Sequence, residues 1–588
     1  MMRFYNLALP STQSDPNANS TPGDIPAVNQ ERPLPSGGQI LVDALKVHGV
    51  ELAFCVPGES FLAVLDALYD AREQVRLIVC RQEGGAAFMA EAYGKLTGRP
   101  GICFVTRGPG ASNASIGVHT AYQDSSPMIL FIGQVGGDVV EREAFQEVDY
   151  RRMYGQMAKW VAQIDRAERI PEYLSHAFHL AVSGRPGPVV LSLPEDMLVS
   201  RALAPEARPY QRVKPSPGAS DIARLAGLLG EAHRPLVILG GGDWTAQACQ
   251  DARAFAEAWN LPVACSFRRQ DLLDNRHRNY VGEVGIAISP ELKKRAREAD
   301  LVLAIGPRLG EMTTGGYTLF DLPQTQQTLV HVHPGADELG RVYQAQLMIN
   351  SGMEQFTVCA KTLKSPAELA WNKWTQMLRQ EYLLSLEPVP MPGALNLSEA
   401  VAWLRSRLPP DTIVSNGAGN FSGWVQRFYQ YTGLRTQLGP TNGAMGYGVP
   451  AAVAAKLLHP ERTVVCFSGD GDFLMTGQEL ATAVQYGAAV VFLVVNNGMY
   501  GTIRMHQERD YPARVHGTAL RNPDFAQLAR AYGAHGAIVE KTSQFAPAFE
   551  EALACGGPAL LELRIDPDAI TTRTSLTAIR AKALQAGS

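Results

Sequence analysis

No stretch of this sequence approaches the roughly 18 consecutive apolar residues that a membrane-spanning helix requires, which excludes a helical membrane protein. Charge of neither sign accumulates. Lys and Arg number 53 and Asp and Glu 57, a formal net charge of −4, and no Lys/Arg-rich run occurs. The chain therefore lacks the electrostatic footprint of a nucleic-acid or anionic-membrane binder. Its eight cysteines include no CxxC pair and none beside a histidine at ligand spacing, which argues against a zinc site. Several sit inside strand-like apolar runs, as Cys103 does in GICFVT and Cys466 in TVVCFSG. They read as small buried hydrophobes of a reducing cytoplasm. The N-terminus has no basic segment followed by an apolar core, so it does not read as a secretory signal. Residues 1–36, rich in Pro, Ser, Asn and Thr from residue 7 onward, are expected to form a mobile leader or loosely docked arm. Hydrophobic residues at 46% and charged residues at 19% exclude disordered, collagen-like and coiled-coil classes. A chain of 588 residues has room for several domains.

From Gly38 onward, short apolar runs alternate with longer segments of helical period. The runs include LIVC (77–80), ICFVT (102–106), MILFIG (128–133) and PVVLSL (188–193). Later come PLVILGG (235–241), LVLAIG (301–306), TLVHVH (328–333) and TIVSNG (412–417). The last group is TVVCFSGDG (463–471), VVFLVVNN (490–497) and ALLELRI (559–565). Apolar runs of this length between helices suit buried parallel strands of an α/β, doubly wound sheet. Two Pro-rich polar stretches, 202–220 and 386–396, read as linkers. They predict three α/β units over 37–204, 205–365 and 390–588, with a helical connection over 366–389. The units share no short repeat, so a solenoid is not indicated.

The strongest local signal lies in residues 468–501. A strand runs into Gly469-Asp470-Gly471, a helix follows, and a second strand ends at Asn496-Asn497. Glycines at a strand end let backbone N–H groups approach an anion, and the next helix N-terminus favours phosphate. Asp470 and the Asn497 side-chain oxygen are hard ligands of the kind Mg²⁺ takes when it bridges phosphates. A Gly-Asp turn or an Asn-Gly turn is common alone. Together, with 24 residues between Gly471 and Asn496 and a strand before each, they are far more specific.

This pairing resembles the signature of thiamine diphosphate (ThDP) enzymes, and the resemblance extends from about residue 37 to 575. RQEGGAAFMAEAYGK (81–95), GPGASN (108–113), GAGNFSGW (417–424) and TNGAMGYGVPAA (441–452) match family segments. The nearest group is the branch of acetolactate synthase, benzaldehyde lyase and pyruvate oxidase, and AFQEVDY (144–150) and GRPGPVVLSLPED (184–196) point to acetolactate synthase and benzaldehyde lyase within it. The resemblance implies a pyrimidine-binding, a central and a diphosphate-binding domain. It also implies sites shared between subunits of a homodimer or homotetramer. Glu83 matches the catalytic glutamate that bonds N1′ of the cofactor pyrimidine. Gly443 and Met445 match residues that receive the pyrimidine amine and hold the bent cofactor. Gly419, Asn420 and Phe421 match those that wrap the diphosphate, and Gly471 and Asp472 continue that cradle. Met499 matches the residue whose carbonyl completes the metal shell beside Asp470 and Asn497. Pro109 and Asn113 fall on the pyrimidine side.

The substrate pocket departs from the relatives. Phe145 and Gln146 are present, with Gln146 63 residues after Glu83. Acetolactate synthases usually carry lysine where this chain has Glu195, and tryptophan nine residues after the metal asparagine, where it has His506. The pocket is thus expected to lose one cation and one aromatic wall. His506 reads either as a proton relay to the reacting intermediate or as an exposed loop histidine. Arg308 matches an arginine that grips an acceptor carboxylate, and a solvated charge or a flavin contact remains open. In the central unit, LGGGDW (239–244) lacks a full dinucleotide fingerprint and leaves FAD, ADP or no nucleotide open. The resulting expectation is a cytoplasmic, Mg²⁺- and ThDP-dependent carboligase or decarboxylase of 2-keto acids, similar to acetolactate synthase. A lyase of 2-hydroxy ketones or 2-hydroxyacyl-CoA, and a silent regulatory homologue, are the alternatives.

Overall fold

The computed structural model describes residues 33–586. Most of the leader expected over 1–36 lies outside the described residues. Its end is docked: Ser36 accepts the N–H of Gln39 while Gln39 Oε1 accepts the N–H of Ser36, a reciprocal cap that starts the helix Gly37–Val47.

Three all-parallel six-stranded sheets follow one another, with helices interleaved between their strands. The first contains β1 (Leu52–Cys55), β2 (Arg76–Val79), β3 (Gly101–Val105), β4 (Met128–Gln134), β5 (Trp160–Gln163) and β6 (Pro188–Pro194). Their spatial order is β2-β1-β3-β4-β6-β5. The second contains β7 (Pro235–Leu239), β8 (Val263–Ser266), β9 (Tyr280–Val284), β10 (Leu301–Ile305), β11 (Thr328–His333) and β12 (Leu347–Asn350). Its order is β12-β11-β10-β7-β8-β9. The third contains β13 (Ile413–Asn416), β14 (Gln437–Leu438), β15 (Val464–Gly469), β16 (Val491–Asn496), β17 (His535–Val539) and β18 (Ala559–Arg564), ordered β14-β13-β15-β16-β18-β17. Helices cover both faces, so the central strands are buried throughout and carry apolar residues at successive positions.

The first and third units share a core. The helix Glu83–Thr97 lies against the helix Gly448–Leu458, and both are rich in Ala and Gly, which lets the two backbones approach closely. Phe88 meets the Tyr447 ring edge-on at 5.5 Å. Behind it, buried Glu91 accepts from Tyr447 Oη and Ser126 Oγ, both at 2.7 Å, and pairs with Lys95 at 3.1 Å. Burial raises the Glu91 pKa; its partners oppose that shift. Lys95 also pairs with Asp124, whose Oδ1 accepts the N–H of Thr441 at 2.8 Å. This chain of contacts ties the start of the 441–445 loop to the helix that Glu83 begins. Among the described residues no helix is long and apolar enough to cross a membrane.

Candidate active site

Parallel sheets bind ligands beyond the carboxyl ends of their strands, where loops diverge and helix N-termini gather. On the third sheet, five adjacent strands, β14, β13, β15, β16 and β18, end at one cleft of about 330 Å³. Its walls carry Gly419, Asn420, Phe421, Gly443, Met445, Asp470, Gly471, Asp472, Asn497 and Met499, ten of the residues singled out in the sequence.

Asp470 opens the helix Asp470–Thr476 directly after β15. Its Oδ2 accepts Gly498 N–H at 2.9 Å and the Asn522 amide at 2.7 Å. Burial raises its pKa, and those donors oppose the rise. Asn497 caps the next turn through Oδ1, which accepts Met499 N–H at 3.2 Å. Gly471 is required here, because a Cβ would sit 2.6 Å from the Tyr500 ring. Gly443 holds φ +73°, with nothing within 4 Å of where its Cβ would be. It is chosen for backbone conformation, not for space.

Asp472 and Asn420, both on the cleft wall, also bond within the protein. Asp472 Oδ1 accepts the N–H groups of Ala418 and Gly446, at 3.0 and 2.9 Å, and so clamps the two loops that flank the cleft. Burial pushes its pKa up to about 6. Asn420 donates to the Ile570 carbonyl at 3.1 Å and accepts from Thr502 Oγ1 at 3.0 Å. Arg268, which no motif pointed to, is buried between the second and third sheets. It donates to the Gly417 carbonyl at 3.1 Å and the Pro440 carbonyl at 2.5 Å, bracing the same two loops from behind.

On the first sheet, five adjacent strands, β2, β1, β3, β4 and β6, also carry their functional candidates beyond their carboxyl ends. Glu83 begins its helix after β2, with the Gln82 side chain capping Gly85 N–H. Glu83 Oε2 accepts the Asn113 amide at 2.9 Å. Asn113 stands one turn into the helix Pro109–Asp124, which starts at Pro109. A Cβ on Gly110 would approach Glu83 Oε1 to 3.3 Å, so the loop after β3 lies directly against that carboxylate. The other end of the loop touches Gln146: a Cβ on Gly108 would come within 2.8 Å of its carbonyl oxygen. Gln146 holds φ +66°, uncommon for a non-glycine residue. Gly108 N–H is received by Tyr150 Oη at 2.9 Å. Phe145 is 70% exposed.

Glu195 does not stand alone in place of a lysine. It forms an ion pair with Arg107, which is 7% exposed and also pairs with Glu59 at 3.0 Å. Arg107 Nε donates to the Phe145 carbonyl at 3.1 Å. A cation is thus present beside Glu195, but it is covered and paired with two carboxylates.

Glu83, Pro109 and Asn113 are absent from the walls of the third-sheet cleft, as are Phe145, Gln146 and Glu195. His506 lies half-buried on the helix Gly501–Asp510, whose first turn lines the cleft while His506 does not. Arg308 belongs to neither group. It pairs with Glu338 at 3.5 Å, donates to the Gln123 carbonyl at 3.0 Å, and lines a separate cavity of about 490 Å³. Gly241 borders that cavity, but its backbone is packed on the Gly306 carbonyl and Gly240 on the Ser266 side chain. These contacts are a packing reason for glycine at both positions. Among the described residues no cluster of three or more His, Cys, Asp or Glu could hold a metal ion. The Asp470–Asn497–Met499 set, with its single carboxylate, is of another kind.

Three family models match the chain. They describe the N-terminal TPP binding domain of thiamine pyrophosphate enzymes over residues 35–153, the central domain over 222–358, and the C-terminal TPP binding domain over 417–563. The chain is 31% identical over 536 residues to the acetolactate synthase isozyme 2 large subunit of Escherichia coli, covering 90% of this chain and 96% of that protein. It is 31% identical over 552 residues to the acetolactate synthase large subunit of Corynebacterium glutamicum, covering 91% and 87%. Over 557 residues it is 31% identical to the acetolactate synthase of Arthrospira platensis, covering 91% and 94%.

Proposed function

Because this chain belongs to the thiamine pyrophosphate enzymes, in the acetolactate synthase branch, we propose that it joins a 2-keto acid, after decarboxylation, to a second carbonyl compound. The observation that carries this reading is the third-sheet cleft, where a helix N-terminus, glycine turns and two oxygen-bearing side chains converge. Such a site fits a diphosphate bridged by a divalent cation. Asp472, on the cleft wall, has Oδ2 buried without a partner. Asp470, Asn497 and the Met499 carbonyl would hold Mg²⁺, and Gly471 with the 417–421 loop would receive the diphosphate. ThDP when bound supplies a carbon nucleophile and an electron sink for decarboxylation. Met445 and Gly443 would seat its pyrimidine side, and Glu83 would hold a proton at the pyrimidine N1′. Asn113 orients Glu83, and Gln146 faces the same loop from the substrate side.

Glu83 and the cleft are proposed to meet across a dimer, since no residue of the first sheet lines the cleft. Exposed Phe145, Ile116, Leu474, Met475 and Ile503 supply apolar surface for such an interface. The presence of Glu83, Asp470 and Asn497 weighs against a silent homologue, and the relatives weigh against the lyase alternative. The packed glycine turn and the engaged Arg308 give FAD no support. Eight free cysteines, five of them buried, support a reducing, cytoplasmic setting. The test is titration with ThDP and Mg²⁺ followed by circular dichroism, then product analysis with pyruvate and a second carbonyl compound. Carboligation that requires both cofactors is expected; its absence with every acceptor would overturn the reading.

A further inference from the structure

Adjacent strands β1, β3, β4 and β6 bring Glu59, Arg107, Phe145 and Glu195 together beyond the carboxyl ends of the first sheet, where Glu83 also follows β2. Arg107 is the centre of this group. Its three nitrogens each have a partner: Glu59 at 3.0 Å, Glu195, and the Phe145 carbonyl at 3.1 Å. Its guanidinium also lies 5.9 Å from the Phe145 ring centroid. One buried cation against two carboxylates leaves one net negative charge. Both carboxylates reach solvent, with side-chain exposures of 67% for Glu59 and 45% for Glu195, whereas the cation is covered. The face that this group presents outward is therefore acidic. It stands on the loop between Gln146 and Glu83, which touches both.

We propose that the Arg107–Glu59–Glu195 group sets acceptor specificity by charge, disfavouring a second 2-keto acid and favouring neutral carbonyl acceptors. This inference rests on the carboligase reading above. Arg107 acts as a positioning residue, fixing Phe145 and through it the strained Gln146. Glu59 and Glu195 supply the repulsion that discriminates between partners. A ground-state charge effect of this kind falls on the acceptor's KM and is weakened by salt.

The experiment uses the full chain loaded with ThDP and Mg²⁺, pyruvate as donor, and two acceptors compared in parallel, a 2-keto acid and an aldehyde of similar size. The readout is the ratio of the two acceptors' kcat/KM values, with KM and kcat separated. In Glu59→Gln/Glu195→Gln, which keeps hydrogen-bond acceptors for Arg107, the ratio should rise about tenfold toward the keto acid, through KM. Glu195→Gln alone should move it the same way by a smaller factor, which covers the case where the double variant misfolds. Added salt should raise the wild-type ratio but not that of the double variant. A ratio that shifts less than about twofold in both variants would overturn the proposal while leaving the carboligase reading intact. If the wild type forms no product with either acceptor, the carboligase reading falls, and the charge gate falls with it.

Discussion

Glu479 accepts the backbone N–H groups of Arg81 and Gln82, at 3.1 and 3.0 Å, immediately before Glu83. Glu479 itself is buried on the third-sheet side and receives Thr482 Oγ1 at 2.6 Å. A carboxylate is thus placed at the N-terminus of the Glu83 helix, where the helix dipole favours it. Burial raises its pKa, and the bonds from Thr482, Arg81 and Gln82 oppose the rise. The position of Glu83 is consequently set within its own chain by a residue 396 positions away.

Removing that brace should act on Glu83 more than on cofactor binding. Glu479→Ala leaves two N–H groups without their acceptor, a cost of about 1–3 kcal/mol each where they are buried. The melting temperature should fall, and kcat should fall more than ThDP affinity. Glu479→Gln, which keeps one acceptor oxygen, should recover part of both. Equal losses of kcat and ThDP affinity would contradict a positioning role.

Asp470→Ala should abolish retention of Mg²⁺ and ThDP, because few other side chains contribute to the cation shell. In the wild type, ThDP with Mg²⁺ at a hundredfold excess over Kd should stabilise the fold by about 2.7 kcal/mol. The variant should show no such gain in thermal denaturation. Activity that persists in the variant and in EDTA would show the cleft to be a coincidence of turns.

Mixing two inactive variants tests the shared site. Glu83→Gln and Asp470→Ala subunits, co-expressed or exchanged, form hybrids with one intact site if the halves come from different chains. Roughly a quarter of wild-type activity should return after random reassociation. A mixture that stays inactive, although hybrids are shown to form, would place both halves of the site in one chain.

Glu283 gives a pH signature in stability, independent of activity. Burial pushes its pKa up to about 8, with Arg268 opposing. Both its oxygens are buried without partners. A carboxyl raised in the folded state is protonated there while the unfolded chain has already released its proton. Its contribution is full below the unfolded value near 4.5 and is lost as pH rises through about 8. Glu283→Gln should therefore gain melting temperature relative to wild type as pH climbs from 5 to 9. A difference that stays constant with pH would contradict this.

Much of the fold was legible from strand-like runs, because central parallel strands are apolar on both faces. All eleven runs coincide with strands, whereas seven others were not singled out. LAFC in β1 is only four residues long. WVAQ in β5 and HGAIV in β17 lie at sheet edges, where partial exposure admits polar residues or glycine. β14 has two residues and offers no period. The third-sheet cleft was legible because the residues that line it cluster in short motifs at strand ends. Glu479, Arg268 and Arg107 were not, since each acts on backbone or on a partner far away in sequence. Arg107 carried one available signal: a charged residue directly before GPG, in a loop otherwise made of small residues. Its meaning emerges only with Glu59 and Glu195 beside it.

The most direct test of the central claim is the rate at which the C2 proton of bound ThDP exchanges with solvent deuterium, followed by acid quench and NMR. Wild-type protein with Mg²⁺ should exchange it far faster than free ThDP. Glu83→Gln should bind the cofactor but exchange about 10²–10⁴-fold more slowly than wild type, the usual range for a lost proton-transfer group. Equal rates in the two proteins, at matched ThDP occupancy, would contradict the role of Glu83 and with it the proposed chemistry of this site.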